Sequence, residues 1–438
     1  MGRHRSTTVL LIFLGIISNS YGLPHIRNVS SAIPANTKDC SIASSGAYIA
    51  ISSEAEAIDD SHFLRWIEVK WFGLTELQED YSVGLWTDNP SIDIPPISWI
   101  HVESESGSLR TTERWDGSLL PNKTNPIGMG NYCLPYWAGV SKGGVIVYTS
   151  CLRLNPFWLS ELSGDELGSV KLADVLLPGT HDAGASGKFG LSILGEVVGR
   201  WTFTQDESLW EQLILGSRYL DIRISYYNNT QEKFFINHAD IRIAPLIDYV
   251  HDVAAFMRST MEIVIFDIHR LPVGFDHPDR YLELINFLYL HLGRWMTPRS
   301  LYPNPTLGEI WDSGRRLIVT FPSGYASDHP YLWNQVHHAW PNTNNLDDLK
   351  SRLDNFISDN SGSTSLWSAM AEFTPSALDV AVDHWHGLRG AAEITNLPVT
   401  KWLRESWWKM ANIVAMDYLP ASGVVEAAIE ANMARLSC

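Results

Sequence analysis

From residue 168 onward the chain alternates two kinds of segment, and this alternation limits the fold more than any other feature. Apolar runs at 219–225, 234–237, 262–267, 316–321, 366–373 and 412–417 read as buried strands. Between them lie segments with helical spacing, at 209–215, 245–257, 280–292 and 346–357. Strands buried on both faces and separated by helices form parallel sheets, so the pattern predicts a (β/α) barrel. No repeat or low-complexity segment interrupts it.

The residues before the barrel follow another rule. Between 46 and 154, short alternating or β-rich runs (47–52, 66–71, 82–87, 97–102, 144–149) are broken by Pro, Gly, Asn and Asp. This spacing predicts an antiparallel, sandwich-like domain. The fold class expected is therefore α/β, with a barrel preceded by an all-β domain. The chain has 438 residues, too many for one comfortable core. The expected boundaries are 1–22 for a signal peptide, 23–155 for the β domain and 156–438 for the barrel, with 155–168 as a linker.

The first residues carry that signal: Arg3 and Arg5, an apolar run at 9–17, and Ser20-Tyr21-Gly22 as a small-x-small cleavage site. The run is too short to span a bilayer, so no transmembrane segment is expected and the mature chain should be secreted. Cys40, Cys133, Cys151 and Cys438 lack zinc-site spacing and, in an exported chain, read as disulfide partners. Lys142-Gly143-Gly144 between two apolar runs suggests a hairpin and favours Cys133–Cys151. Sequons at Asn28, Asn122 and Asn228 fit a glycoprotein. A formal net charge of -17 leaves no basic surplus for nucleic acid, so none is expected as a partner.

Chemistry collects at the strand ends, where barrel active sites lie. The apolar run 175–177 breaks at Pro178-Gly179 and delivers His181-Asp182 into a glycine-rich turn, placing His181 on a loop at the end of a strand. In the next strand, alternation puts Tyr219, Asp221 and Arg223 on one face, toward the interior. Asp221 and Arg223 are there either as a structural ion pair or as a ligand site. The third strand ends at Asn237-His238-Ala239, the fourth at Asp267-Ile268-His269, the last at Asp417. Two imidazoles supply an acid and a base, carboxylates orient them, and a guanidinium neutralises a phosphoryl oxygen. That set suits cleavage of a phosphodiester by a neighbouring hydroxyl, with neither metal nor cofactor.

These motifs resemble the phosphatidylinositol-specific phospholipase C X-domain family, in its metal-independent branch. The resemblance rests on Leu177-Pro178-Gly179-Thr180-His181-Asp182, on Arg218-Tyr219-Leu220-Asp221-Ile222-Arg223, on Asn237-His238, and on the runs 262–267 and 412–417. It implies a distorted TIM-type barrel acting on phosphatidylinositol-type lipid at a membrane surface, with diacylglycerol and an inositol cyclic phosphate as products. It also implies His181 as general base oriented by Asp417, His238 as general acid assisted by Asp182, and Arg223 on the phosphate. Asp221 would hold the second-strand network. Asp267 and His269 would contribute to substrate binding, with Asp267 equally placed to be a structural partner of Arg223. The family usually has glycine after the third-strand histidine, where this chain has Ala239. Arg223 and His269 fall where calcium-dependent members carry carboxylates, which argues against calcium.

Two other readings remain at this level. A phospholipase D-like barrel shares the scaffold but needs a Glu-x-Asp metal pair, and Asp221-x-Arg223 replaces its second carboxylate by a cation. A barrel that binds lipid, glycan or protein without turnover is the non-enzymatic alternative. The apolar segment 189–203 reads as a packed helix or as a lip at the barrel mouth. Trp402, Trp407 and Trp408 read as core, and His384-Trp385-His386 lacks a third partner for a metal.

Overall fold

The computed structural model describes residues 40–437 apart from 58–62, 76–79, 92, 127, 163–166 and 187–197. The expected signal peptide and most of segment 189–203 lie outside these residues. The β-rich part runs β1 (Gly46–Ala57), β2 (Phe63–Phe72), β3 (Tyr81–Trp86), β4 (Ser98–His101), β5 (Gly107–Trp115), β6 (Tyr132–Lys142) and β7 (Val145–Leu154). They form two antiparallel sheets, ordered β1-β2-β5 and β4-β3-β6-β7. Alternate residues turn inward, so Ile49 and Ile51 of one sheet and Val83, Leu85 and Val140 of the other join one buried cluster. The β6–β7 hairpin turns at Gly143 and Gly144, both at positive φ. Cys133 and Cys151 are disulfide-bonded across it, with Cα atoms 5.6 Å apart.

The second part continues with β8 (Leu177–Thr180), β9 (Tyr219–Tyr226), β10 (Phe234–His238), β11 (Ile241–Pro245), β12 (Val264–Arg270), β13 (Leu317–Phe321), β14 (Trp333–Asn334), β15 (His337–Ala339), β16 (Trp367–Met370) and β17 (Ile413–Met416). Its parallel wall has the order β14-β13-β12-β9-β8-β17-β16-β15. Helices Leu246–Ser259, Pro278–Leu292, Leu346–Asn360, Leu388–Glu405 and Val424–Ser437 alternate with the strands. The terminal strands β14 and β15 are joined through Gln335 and Val336, so the sheet curls into a barrel with a seam between them. Gln335 reaches the C-terminal part of β12, donating to the carbonyls of Ile268 at 3.0 Å and His269 at 2.6 Å. This is a distorted TIM-type barrel preceded by antiparallel sheets.

Three expectations change in detail. Pro178 and Gly179 do not end the first barrel strand; they lie inside β8. A Cβ on Gly179 would come within 2.7 Å of the Tyr219 ring, so glycine is what lets β8 pack against β9 at that level. The strand bearing His238 is not a wall strand, because β10 pairs antiparallel with the upper end of β9 and forms a hairpin with β11. The stretch 155–168 is not a loose linker where described: Trp158 and Leu159 are buried, and Trp158 donates to the Gly216 carbonyl at 2.9 Å. The Glu262 carboxylate accepts from the Leu159 and Ser160 amides and from Arg218 Nε at 2.6 Å. Removing either member of that buried ion pair would strand a charge, at a cost of roughly 3–5 kcal/mol. Trp402, Trp407 and Trp408 are core, as expected.

Candidate active site

The C-terminal ends of β8, β9, β16 and β17 converge on one polar cluster. Buried apolar wall residues fix each strand, and the first polar residue beyond them projects at the barrel mouth. His181 and Asp182 follow β8, and Asp417 follows β17, its parallel neighbour. His181 Nδ1 lies 2.7 Å from Asp417 Oδ1. Its other nitrogen, Nε2, faces Arg223 Nη2 at 2.7 Å and the Glu372 carboxylate at 3.8 Å. Arg223 also reaches Asp182 at 3.2 Å and Asp221 at 3.1 Å. His238 enters from the hairpin, with Nε2 3.9 Å from Asp182 Oδ2, a distance at which no hydrogen bond is made.

The electrostatics of the cluster divide its members. Burial works against a charge on His181, but Glu372 and Asp417 outweigh it and push the ring up to about 9. The 2.7 Å contact with Arg223 pulls the other way. A guanidinium only donates, so Nε2 must offer a lone pair while that contact lasts. The contact fixes the resting tautomer as Nδ1–H toward Asp417, and the carboxylates favour a proton on Nε2 once Arg223 moves off. Burial, with Arg223 and His181 nearby, pushes His238 down to about 3. Burial raises Asp182 to about 7, with Arg223 opposing and Asp221 adding to it. Asp221, also buried, is instead held well below the usual carboxylate range, chiefly by Arg223.

Asp182, Ala239 and Tyr418, all within the site or beside it, have left-handed backbones at φ 36°, 47° and 48°. For residues with a Cβ this is strain of the kind that gathers at functional sites. Ala239 takes this conformation at the position where glycine was expected.

Asp267 and His269 stand one strand further round, in a second cluster. Asp267 accepts from the Tyr219 hydroxyl at 2.6 Å and from Thr320, and lies 3.0 Å from His338 Nε2 and 3.6 Å from His269 Nδ1. Asp267 thus bonds to Tyr219, Thr320 and His338, while Arg223 takes Asp182 and Asp221. The ligating atoms of Asp267, His269 and His338 lie within 4.8 Å of one another, close enough for a metal trio. Yet the two imidazoles are stacked, 3.4 Å apart and 4° from parallel. An imidazole binds metal in its own plane, so parallel rings do not direct two lone pairs at one ion; His338 is hydrogen-bonded to Asp267 and His269 stacks on His338.

Two site residues were missed in the sequence. Glu372, two residues beyond β16, is 2% exposed and neither of its oxygens has a hydrogen-bond partner. An acid at the end of the apolar run 366–373 carried the signal used for Asp417. His338 sits in the three-residue strand β15, too short to leave a pattern.

The fold and its site define a class: a curled parallel barrel whose mouth carries two histidines, buried carboxylates and one arginine. No family model matches the chain. It is 21% identical over 330 residues to mouse PI-PLC X domain-containing protein 2, covering 70% of this chain and 94% of the relative. It is 26% identical over 315 residues to human PI-PLC X domain-containing protein 1, covering 66% and 95%. Among solved structures, a variant of the phosphatidylinositol-specific phospholipase C of Staphylococcus aureus matches 64% of this chain and 96% of its own, at 15% identity and a TM-score of 0.47. Over about two-thirds of its length the chain is thus similar to PI-PLC X domain-containing proteins.

Proposed function

We propose that this chain is a secreted phosphodiesterase of the phosphatidylinositol phospholipase C type, working by two-histidine acid–base catalysis without a metal. The observation that carries the reading is His181, held at Nδ1 by Asp417 and facing Arg223 through Nε2, both at 2.7 Å. A phosphodiester entering the site draws the Arg223 guanidinium onto its oxygens and frees the Nε2 lone pair. His181 then takes the proton of the inositol 2-hydroxyl, and that oxygen attacks phosphorus to form the cyclic phosphate. The bond to the diacylglycerol oxygen breaks, and His238, assisted by Asp182, protonates the leaving group. Asp417 and Glu372 stabilise the imidazolium formed on His181, and Asp221 holds Arg223 at its station. Asp267 and His269 line the adjoining wall, in the place of a subsite for the headgroup.

The compartment and the partner follow from other features. The Cys133–Cys151 disulfide suits an oxidising compartment, consistent with export after cleavage of residues 1–22. Asn122 and Asn228, the acceptor positions of two sequons, are exposed. Among the described residues no helix is long and apolar enough to cross a membrane. Trp340, Leu378 and Val382, 45%, 68% and 63% exposed, follow the C-terminal ends of β15 and β16 and give the barrel rim an apolar edge suited to a lipid surface.

The test uses radiolabelled phosphatidylinositol in vesicles, with a chelator and the mature full chain. The expected product is inositol cyclic phosphate, lost in His181→Ala and reduced by at least ~100-fold in Asp417→Asn. Headgroup binding without turnover, unchanged by His181→Ala, would replace this reading with a binding module. Turnover that requires added divalent metal would replace it with the phospholipase D-like one.

A further inference from the structure

One buried segment connects the β-rich part of the chain to the catalytic histidine. Residues 204–207 lie beneath the end of β8. Thr204 Oγ1 donates to the Asp182 carbonyl at 2.9 Å. The Gln205 side-chain nitrogen donates to the carbonyls of His181 at 3.1 Å and of Met416, the neighbour of Asp417, at 2.8 Å. One fully buried amide therefore bridges the two strand ends whose side chains form the His181–Asp417 pair.

The next two residues carry buried acids that point the other way. Arg65 of β2 pairs with Glu207, and its Nη1 lies 3.3 Å from Asp206. Arg389, on helix Leu388–Glu405, donates to the same Asp206 at 2.8 Å and to the Ser53 carbonyl of β1 at 2.7 Å. Arg65, Asp206 and Glu207 are each less than a tenth exposed. Guanidinium–carboxylate pairs in such surroundings fix geometry, since any shift of the segment would strand buried charge.

We propose that Arg65 is a positioning residue for the barrel's reaction: through Glu207 and Asp206 it holds the Thr204-Gln205 bridge on which His181 and Asp417 are seated. The β-rich part is, on this view, a working component of the active site and not an appended module. The proposal rests on the acid–base reading above for its effect on turnover, but its structural half can be read without substrate. A displacement of about 1 Å at a reacting group costs up to ~100-fold in rate, so a loosened bridge appears in kcat and leaves KM in place.

The experiment compares the full chain with Arg65→Lys, Arg65→Met and the double variant Arg65→Met/Glu207→Gln, which removes the acid that the single change leaves unpaired. Lys123→Met, cutting the separate 2.5 Å ion pair to Asp252, is the control for an ordinary contact between the two parts. Measured are kcat and KM on phosphatidylinositol vesicles, the urea midpoint, and the titration of His181 followed by NMR. The double variant is expected to fold with a kcat ~10–100-fold lower and KM unchanged. His181 is expected to titrate closer to an ordinary histidine, Arg65→Lys to recover part of both losses, and Lys123→Met to match wild type in kcat and titration. A folded double variant with wild-type kcat and His181 titration overturns the proposal, as does a loss of kcat that merely follows the urea midpoint. If the double variant fails to fold, Arg65→Lys decides by the same two readouts. If wild type turns over no lipid while the Arg65 variants still shift the His181 titration, the proposed activity has failed and the bridge stands.

Discussion

Replacing Glu372 by glutamine isolates the energetic cost of one unpaired acid. Burial raises this carboxyl from 4.5 to about 7, with His181 opposing and Asp417 adding to the shift. Because the folded-state value lies above the unfolded one, the native protein keeps a proton that the unfolded chain has already released between about 4.5 and 7. Stability tied to this group is therefore full below the lower value and is lost as pH rises through the upper one. At ~1.36 kcal/mol per unit, the shift corresponds to roughly 3 kcal/mol. Glutamine has the shape of the protonated acid and never ionises. Urea denaturation at about pH 5 should find wild type and Glu372→Gln equally stable, and at about pH 8 the variant should be ahead by ~1–2 kcal/mol, the raised His181 returning part of the loss to wild type. The variant should also lose activity, because His181 loses the carboxylate that most raises its basicity and its titration should fall from about 9 toward that of an ordinary histidine. Two stability curves that run parallel from pH 5 to pH 8 would refute the reasoning, for Glu372 would then not be a buried acid that folding forces to stay protonated.

Other outcomes follow from the same site. Ala239 has φ 47°, so Ala239→Gly should raise stability by ~0.5–1 kcal/mol, net of glycine's greater entropy loss; a lower urea midpoint would mean that the left-handed turn costs nothing. His238 is pushed down to about 3 by burial and by Arg223. An anion on Arg223 should restore part of its basicity, so NMR titration with inorganic phosphate should move His238 toward the ordinary histidine range, and no movement at saturating phosphate would place the anion elsewhere.

The barrel was legible because its strands are buried on both faces and each ends in a polar residue. That pattern located His181, Asp182, Asp221, Arg223 and Asp417 at the ends of adjoining strands. What stayed hidden depends on partners distant in the chain. Pro178-Gly179 reads locally as a turn, and only the Tyr219 ring beside it explains why it is strand. The run at 234–237 has the composition of a wall strand, and its antiparallel pairing with β9 is settled by the loop 227–233 and not by its apolar content. His338 meets Asp267 only because the seam brings β15 close to β12, a closure no local pattern encodes. Arg65 and Lys70 look like ordinary surface positions in a β-rich run, yet both are buried against acids of the barrel.

The hairpin that carries His238 has a consequence for how such proteins diverge. The other residues of the proposed acid–base set, His181, Asp182, Arg223, Glu372 and Asp417, lie on or just beyond wall strands, where a change that moves one also disturbs the barrel. His238 rides on β10, joined to the wall by the pairs Phe234↔Tyr226, Phe235↔Ser225 and Ile236↔Ile224 at the upper end of β9. On the proposed roles, the proton donor is thus heritable separately from the base and the anion site. Substitution or insertion in the hairpin can retire the donor and leave a barrel that still grips a phosphodiester. On those roles, descendants of one scaffold can pass between cleaving a headgroup and merely recognising it by altering a single hairpin.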